Sequence, residues 1–173
     1  RLTHAPSCRT TKALSIGQEA RQERRNRITL VILSYASPAL LVNHLEAIRS
    51  YSKQTRRALD VLVIDDGSPP GLDAAPFVTP RHAEGLHSLK VVAIAEDLAW
   101  NIGGARNLAF HLATTTRVLL LDADTVLSSG MVEATMALPH HTSRGNHSTP
   151  VMHKFNRRRP SGELAPHPAA MLI

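Results

Sequence analysis

Four short runs of β-branched and aliphatic residues set the frame of this chain: ITLVILSY (28–35), LDVLVIDD (59–66), LKVVAIAED (89–97) and RVLLLDAD (117–124). Each is apolar over consecutive positions rather than alternate ones, the pattern of a strand covered on both faces. The first, β-rich and continuously apolar, is expected at the centre of the sheet. Helical marks lie between them. Ser37 and Pro38 offer an N-cap followed by proline at the first helical position, with Leu40, Leu41, His44, Leu45 and Ile48 at helical spacing behind. GGARNLAFHLA (103–113) reads as a helix opened by glycines. Strands alternating with helices or long crossovers pair in parallel with right-handed connections, so the expected class is α/β, a mostly parallel Rossmann-like sheet flanked by helices. Beyond residue 128, SSGMVEATMAL suggests a further helix and PVMHKF a further strand. PHHTSRGNHST and NRRRPSGELAPHPAA read as loops by composition, the latter for its prolines and glycine.

A chain of 173 residues is most simply one domain with a buried core. With only 3% aromatic residues, that core must rest on Leu, Val, Ile and Ala. The formal charge of +6 is local: residues 1–29 hold seven Lys or Arg against two Glu, and the rest is nearly neutral. Residues 1–27 are therefore read as a basic N-terminal tail and 28–173 as the folded domain. No aromatic residues interleave with the basic ones as stacked bases require, so no nucleic acid is expected as a partner. Cys8, the single cysteine, excludes an intrachain disulfide and a thiolate metal site. The longest apolar stretch, ITLVILSYASPALLV, falls short of the ~20 residues that span a bilayer, so no transmembrane segment is expected. The start at Arg1 and the apolar stop at AAMLI suggest a fragment, C-terminally truncated. Compartment is left open, cytoplasmic or associated with the Golgi or ER as part of a longer chain.

Three of the four runs end in acid: Asp65 and Asp66, Glu96 and Asp97, Asp122 and Asp124. In an open parallel sheet, ligands bind outside the carboxyl ends of the strands. One such pair is what a strand running into a turn produces, but several on one rim repel unless a cation or a donor-rich ligand joins them. Asp122 and Asp124 are two positions apart, so a strand continuing to 124 would point both side chains the same way. Their hard oxygens suit Mg²⁺ or Mn²⁺, which takes its remaining ligands from water and substrate phosphates.

VILSYASP, VLVIDDGSPPG, AEDLAWNIGGARNLAFHLA and VLLLDADTVL, in this order and at these spacings, resemble the donor-binding half of a family-2-like glycosyltransferase of the GT-A fold over roughly residues 28–130. HKFNRRRPSGELAPHPAAMLI is weakly similar to the stretch leading toward the acceptor side of such enzymes. The resemblance implies transfer of a sugar, with inversion, from a nucleoside-diphosphate sugar to a hydroxyl acceptor, with Mn²⁺ or Mg²⁺. UDP-sugar is the favoured donor. It implies that Ser34 and Tyr35 meet the nucleobase and that Asp65 or Asp66 accepts from its N–H. Asn101, Gly103, Gly104, Arg106 and Asn107 would close over the nucleotide and sugar-phosphate. Asp122 would face ribose and metal, and Asp124 would ligate the metal. Independently of the resemblance, Gly103 and Gly104 permit close approach at a helix N-terminus, which favours phosphate, and Arg106 adds charge for a leaving diphosphate.

LLLDADTVL also fits a haloacid-dehalogenase-like phosphatase, with Asp122 as nucleophile. Such an enzyme opens on this strand and needs a downstream acidic cluster, whereas three strand units precede it here and only Glu133 and Glu163 follow. A dinucleotide oxidoreductase is disfavoured because NIGGARN lacks G-x-G-x-x-G. His140, His141, His147, His153 and His167 match no standard zinc spacing, although His167 could approach the metal. The acceptor needs a general base, and neither Glu133 nor Glu163, the weak candidate, sits in a matching motif. The base is accordingly expected beyond Ile173, leaving a catalytically incomplete nucleotide-sugar-binding module as a further alternative.

Overall fold

The computed structural model describes residues 19–99, 101–122 and 124–138, together with the backbone of 153–158 and 164–172. Residues 19–25 form an exposed helical stretch ahead of the sheet. Six strands follow: β1 (Ile28–Ser34), β2 (Leu59–Asp65), β3 (Ser88–Ala93), β4 (Val118–Leu121), β5 (His153–Arg158) and β6 (Leu164–Leu172). The helices are α1 (Pro38–Arg49), α2 (Lys53–Arg57), α3 (Pro80–Ala83), α4 (Ile102–Leu112) and α5 (Ser129–Ala137), with a 3₁₀ turn at Ala75–Phe77. The sheet order is β3-β2-β1-β4-β6-β5. The first four strands are mutually parallel, while β6 runs antiparallel to both β4 and β5.

Continuous apolar sequence becomes a strand buried on both faces because successive side chains alternate sides. Ile28, Leu30 and Ile32 of β1 join Leu59, Val61 and Val63 of β2 and Leu119 and Leu121 of β4 on one face. Leu41, Leu45 and Ile48 of α1 and Val132 of α5 cover them. Val31 and Leu33, with Leu62, Ile64, Val118 and Leu120, form the opposite face beneath Ala105 and Ala109 of α4. The two alanines let α4 lie close to the sheet. β3 differs from the expected buried strand: it is the sheet edge, its side chains half-buried or exposed.

Three boundaries depart from the sequence reading. β3 stops at Ala93 and β4 at Leu121, so Glu96, Asp97, Asp122 and Asp124 lie in loops rather than on strands. The ladder between β1 and β4 ends at Ile32 and Leu121, and the amide of Thr125 turns back onto the carbonyl of Asp122 at 3.0 Å. The two-residue period therefore does not govern Asp122 and Asp124. The third departure is NRRRPSGELAPHPAA, expected as loop, which contributes the end of β5 and most of β6. Pro166 and Pro168 precede the Met171–Leu172 stretch that pairs with β4, and a strand tolerates a missing N–H where a ladder is present on one side only.

At the amino end of the sheet, Asp60 is a buried carboxylate, 5% exposed. His87 Nδ1 lies 2.7 Å and Ser88 Oγ 2.5 Å from its Oδ1. Thr114 Oγ1 donates to its Oδ2 at 3.3 Å, and Arg27 approaches to 3.7 Å. One side chain thus ties the start of β1, the start of β3 and the turn before β4. Burial pushes the Asp60 carboxyl up, but the bonds from Ser88 and His87 and the charge of Arg27 outweigh it and hold the group below its ordinary value. A depressed native value means that Asp60 stabilises the fold fully above the unfolded value, about pH 4, and ceases to as pH falls through the native one. Asp60→Asn is expected to flatten the acid limb of a plot of denaturant stability against pH below about pH 4. An unchanged acid limb would remove Asp60 from the acid-sensitive set.

Candidate functional site

The strand order places a topological switch between β1 and β4, because the chain builds outward from β1 through β2 to β3 and then returns to the other side of β1. A crevice forms there because adjacent loops leave in opposite directions. A cleft of about 460 Å³ occupies this position. Ser34, Tyr35 and Ser37 line it from the end of β1, Asp66 from the end of β2, Asp97, Leu98 and Asn101 from the loop before α4, and Asp122 from the end of β4.

Three carboxylates share this rim, and each meets its own donor. Asn101 Nδ2 donates to Asp66 Oδ1 at 2.8 Å, the Tyr35 hydroxyl to Asp97 Oδ2 at 3.0 Å, and Arg106 Nη2 to Asp122 Oδ1 at 3.2 Å. The hydrogen bond to Asp97, and then the charge of Asp97, raise the Tyr35 phenol above its ordinary value. Asn101 occupies the N-cap position of α4 but makes no capping bond with its side chain. A Cβ on Gly104 would collide with that side chain, so glycine at 104 leaves room for the Asn101–Asp66 bond.

The two aspartates ending β2 have separate roles. Asp65 is buried and accepts from the backbone N–H groups of Ser68 at 3.0 Å and Ala74 at 2.6 Å, stapling the loop to the strand end. Ser68 in turn takes the N–H of Ala36 on its Oγ at 2.9 Å, holding Ala36 at the positive φ of 47° that a residue with a Cβ rarely adopts. Gly67, at φ 77°, lies so close to the next loop that a Cβ would stand 2.5 Å from the carbonyl oxygen of Glu96 and 2.9 Å from Cα of Asp97. Asp66 is left facing the cleft.

Of the other expected residues, Ser34 lies at the cleft floor, 2% exposed, with a hydroxyl that has no hydrogen-bond partner among the described residues. Gly103 opens onto free space, and Asn107 is exposed on α4. Asp124 is exposed, with the Thr125 hydroxyl donating to it at 3.2 Å. Neither Asn107 nor Asp124 lines the cleft. Glu133 accepts from Thr55 Oγ1 at 2.6 Å, at the contact between α5 and α2. Glu163, His140, His141 and His147 lie outside the described residues, and His153 and His167 are described in backbone only. Sequence reasoning gave no site role to Ser37 or Asp97. Asp97 was visible as a strand-end acid, but its donor, Tyr35, is 62 residues away in the chain.

Among the described residues, no cluster of three or more His, Cys, Asp or Glu could hold a metal ion, and no helix is long and apolar enough to cross a membrane. Asp122 and Asp124 remain as hard oxygen donors. Two carboxylates fit Mg²⁺ or Mn²⁺, which keeps waters and takes further ligands from phosphate.

Gly67→Ala is expected to lower stability by about 1–3 kcal/mol through backbone strain and the collision with the Glu96 carbonyl, and to displace Asp97 from the cleft rim. Chemical denaturation alongside amide exchange of residues 94–99 measures both. Wild-type protection in that loop would show that Gly67 does not position it.

Residues 29–144 match the model of glycosyl transferase family 2. Among solved structures, a mannosyltransferase from Pyrobaculum calidifontis in complex with GDP-Man and Mn²⁺ superposes with a TM-score of 0.53 at 24% identity, covering 74% of this chain and 42% of that one. S. aureus TarS 1–349 in complex with UDP-GlcNAc gives 0.50 at 22% identity, covering 64% of this chain and 30% of that one. No curated protein matches the sequence. The chain thus spans less than half the length of these solved relatives. The match displaces the phosphatase reading of the LLLDADTVL run: this chain belongs to glycosyl transferase family 2.

Proposed function

We propose that this chain binds the donor of a glycosyltransferase, holding a nucleoside-diphosphate sugar, UDP-sugar in first place, for transfer to a hydroxyl acceptor with inversion. The observation that carries the reading is the cleft at the switch between β1 and β4, where the expected residues Ser34, Tyr35, Asp66, Asn101 and Asp122 meet. In this reading Asp66 accepts from the nucleobase N–H, and the unpartnered hydroxyl of Ser34 bonds the base edge. Asp122 faces the ribose. Gly103, at the N-terminus of α4, offers open space to phosphate oxygens, and backbone N–H groups with the helix dipole favour that charge. Arg106, in the same turn, stabilises negative charge on the departing diphosphate. Asp122 and Asp124 would hold Mn²⁺ or Mg²⁺, whose contribution when bound is Lewis-acid neutralisation of the diphosphate. Asp65 supports the site from behind by fixing the loop that carries Asp66.

The names of the structural relatives bring two bases into view, guanine in GDP-Man and uracil in UDP-GlcNAc, so both nucleotides belong in the test. Calorimetry is expected to detect UDP or GDP binding in Mn²⁺ and a marked loss of affinity in EDTA. Asp124→Asn should remove most of the metal dependence, and Asp66→Ala should weaken binding by roughly tenfold, the effect of one hydrogen bond to a charged group. Equal affinity with and without metal would take the metal role from Asp122 and Asp124. Binding of neither nucleotide under any condition would overturn the donor reading.

A further inference from the structure

The cleft carries acid on three sides and, among the described residues, has no lysine or arginine in its lining, yet the reading above asks it to accept a diphosphate. Arg106 reaches this rim through Asp122, and it is already engaged. Its Nη2 donates to Asp122 Oδ1 at 3.2 Å, both side chains being partly exposed at 24% and 29%, while its Nε is buried with no hydrogen-bond partner among the described residues. One end of the guanidinium therefore neutralises an acid assigned to the metal, and a second donor goes unused. That is not the arrangement a guanidinium adopts when a better anion is present. A diphosphate offers more charge than one carboxylate and a fork of oxygens that matches the guanidinium, so it is the stronger partner.

We infer that Arg106 is a positioning residue that occupies Asp122 as an internal counter-ion and gives it up to the cation only when a diphosphate draws the guanidinium away. The inference rests on the donor-binding reading of the cleft. With no nucleotide, the positive guanidinium repels a divalent cation and covers one of the two carboxylates meant for it. With the diphosphate present, Arg106 turns to phosphate oxygens, Asp122 is uncovered, and cation and nucleotide enter as one unit. The exchange is one of ion pairs alone: no bond is made or broken, and no proton moves. Its consequence is selectivity, because free cation is held weakly and bare nucleotide meets three carboxylates, so only the pair binds well.

The test reads the cation by itself. Mn²⁺ titrations followed by electron paramagnetic resonance, without nucleotide, are made on the full chain and on Arg106→Gln, Arg106→Lys, Asp122→Asn and the Arg106→Gln/Asp122→Asn pair. Arg106→Gln is expected to bind Mn²⁺ alone more tightly by roughly tenfold, the effect of removing one charge beside a partly exposed carboxylate. Arg106→Lys, which keeps the charge, should stay near wild type, and the double variant should lose the gain. In parallel calorimetry with UDP and GDP, the factor by which Mn²⁺ improves nucleotide affinity should shrink in Arg106→Gln. An unfolded chain also takes metal on exposed carboxylates and histidines, so the double variant, which should lose the gain, separates the effect at the site from that background. Unchanged or weaker Mn²⁺ binding by Arg106→Gln, with metal-dependent nucleotide binding intact in wild type, would overturn this inference and leave the donor reading standing. Failure of wild type to bind either nucleotide would overturn both.

Discussion

The site depends on β1 being held between β2 and β4. Seven registered pairs tie it to β2, from Ile28 opposite Leu59 to Ser34 opposite Asp65, and four tie it to β4. Parallel pairing makes all three strands end at the same edge, and burial on both faces fixes the register, since a slip of one residue would exchange the two apolar faces. Leu30 and Val31 belong to opposite clusters, so neither can be displaced without opening a core. Ser34, Asp66 and Asp122 are neighbours in the cleft because of this central ladder, although 88 residues separate the first from the last.

On that rigid edge, the loops are positioned by polar contacts in series. Asp65 fixes the backbone at Ser68 and Ala74, Ser68 fixes Ala36, and the left-handed turn at Ala36 sends the chain from Tyr35 toward Ser37 and α1. Gly67 lets the following loop pass close by, bringing Asp97 within reach of the Tyr35 hydroxyl. Further back, the buried Tyr51 hydroxyl, its pKa pushed up to about 12 by burial, donates to the carbonyl of Leu127 and anchors the chain leaving Asp124. A strained non-glycine residue persists only where its surroundings hold it, and such positions cluster at functional sites.

The rim uses one donor for each acid. Like charges at a strand edge are costly in isolation, and Asn101, Tyr35 and Arg106 reduce that cost from three separate positions. The donors differ in kind: an amide and a phenol stay where packing puts them, whereas a guanidinium carries a charge that a better anion can claim. This difference singles out the pair of Arg106 and Asp122 as the part of the rim suited to change partners.

How much of this was legible beforehand follows from what each signal depends on. The strands β1 to β4, with α1, α4 and α5, could be read from sequence, because consecutive apolar residues and helical spacing are local and the energy of burying them dominates. The family could be read as well, since VLVIDDGSPPG and DLAWNIGGARN keep their residues and spacing. Sequence alone could not divide Asp65 from Asp66, because two adjacent acids leaving a strand differ only in which way each points, and that is set by the amides of Ser68 and Ala74. Nor could it end β4 at Leu121, which depends on where the partner strand stops pairing. The composition of NRRRPSGELAPHPAA spoke for loop, and only the unpaired side of β6 made room for its prolines as strand. The sequence determined the four parallel strands, the main helices and the residue types at the cleft. The tertiary structure decided which acid meets which donor, because those contacts join residues distant in the chain and depend on ångström distances that no local pattern records.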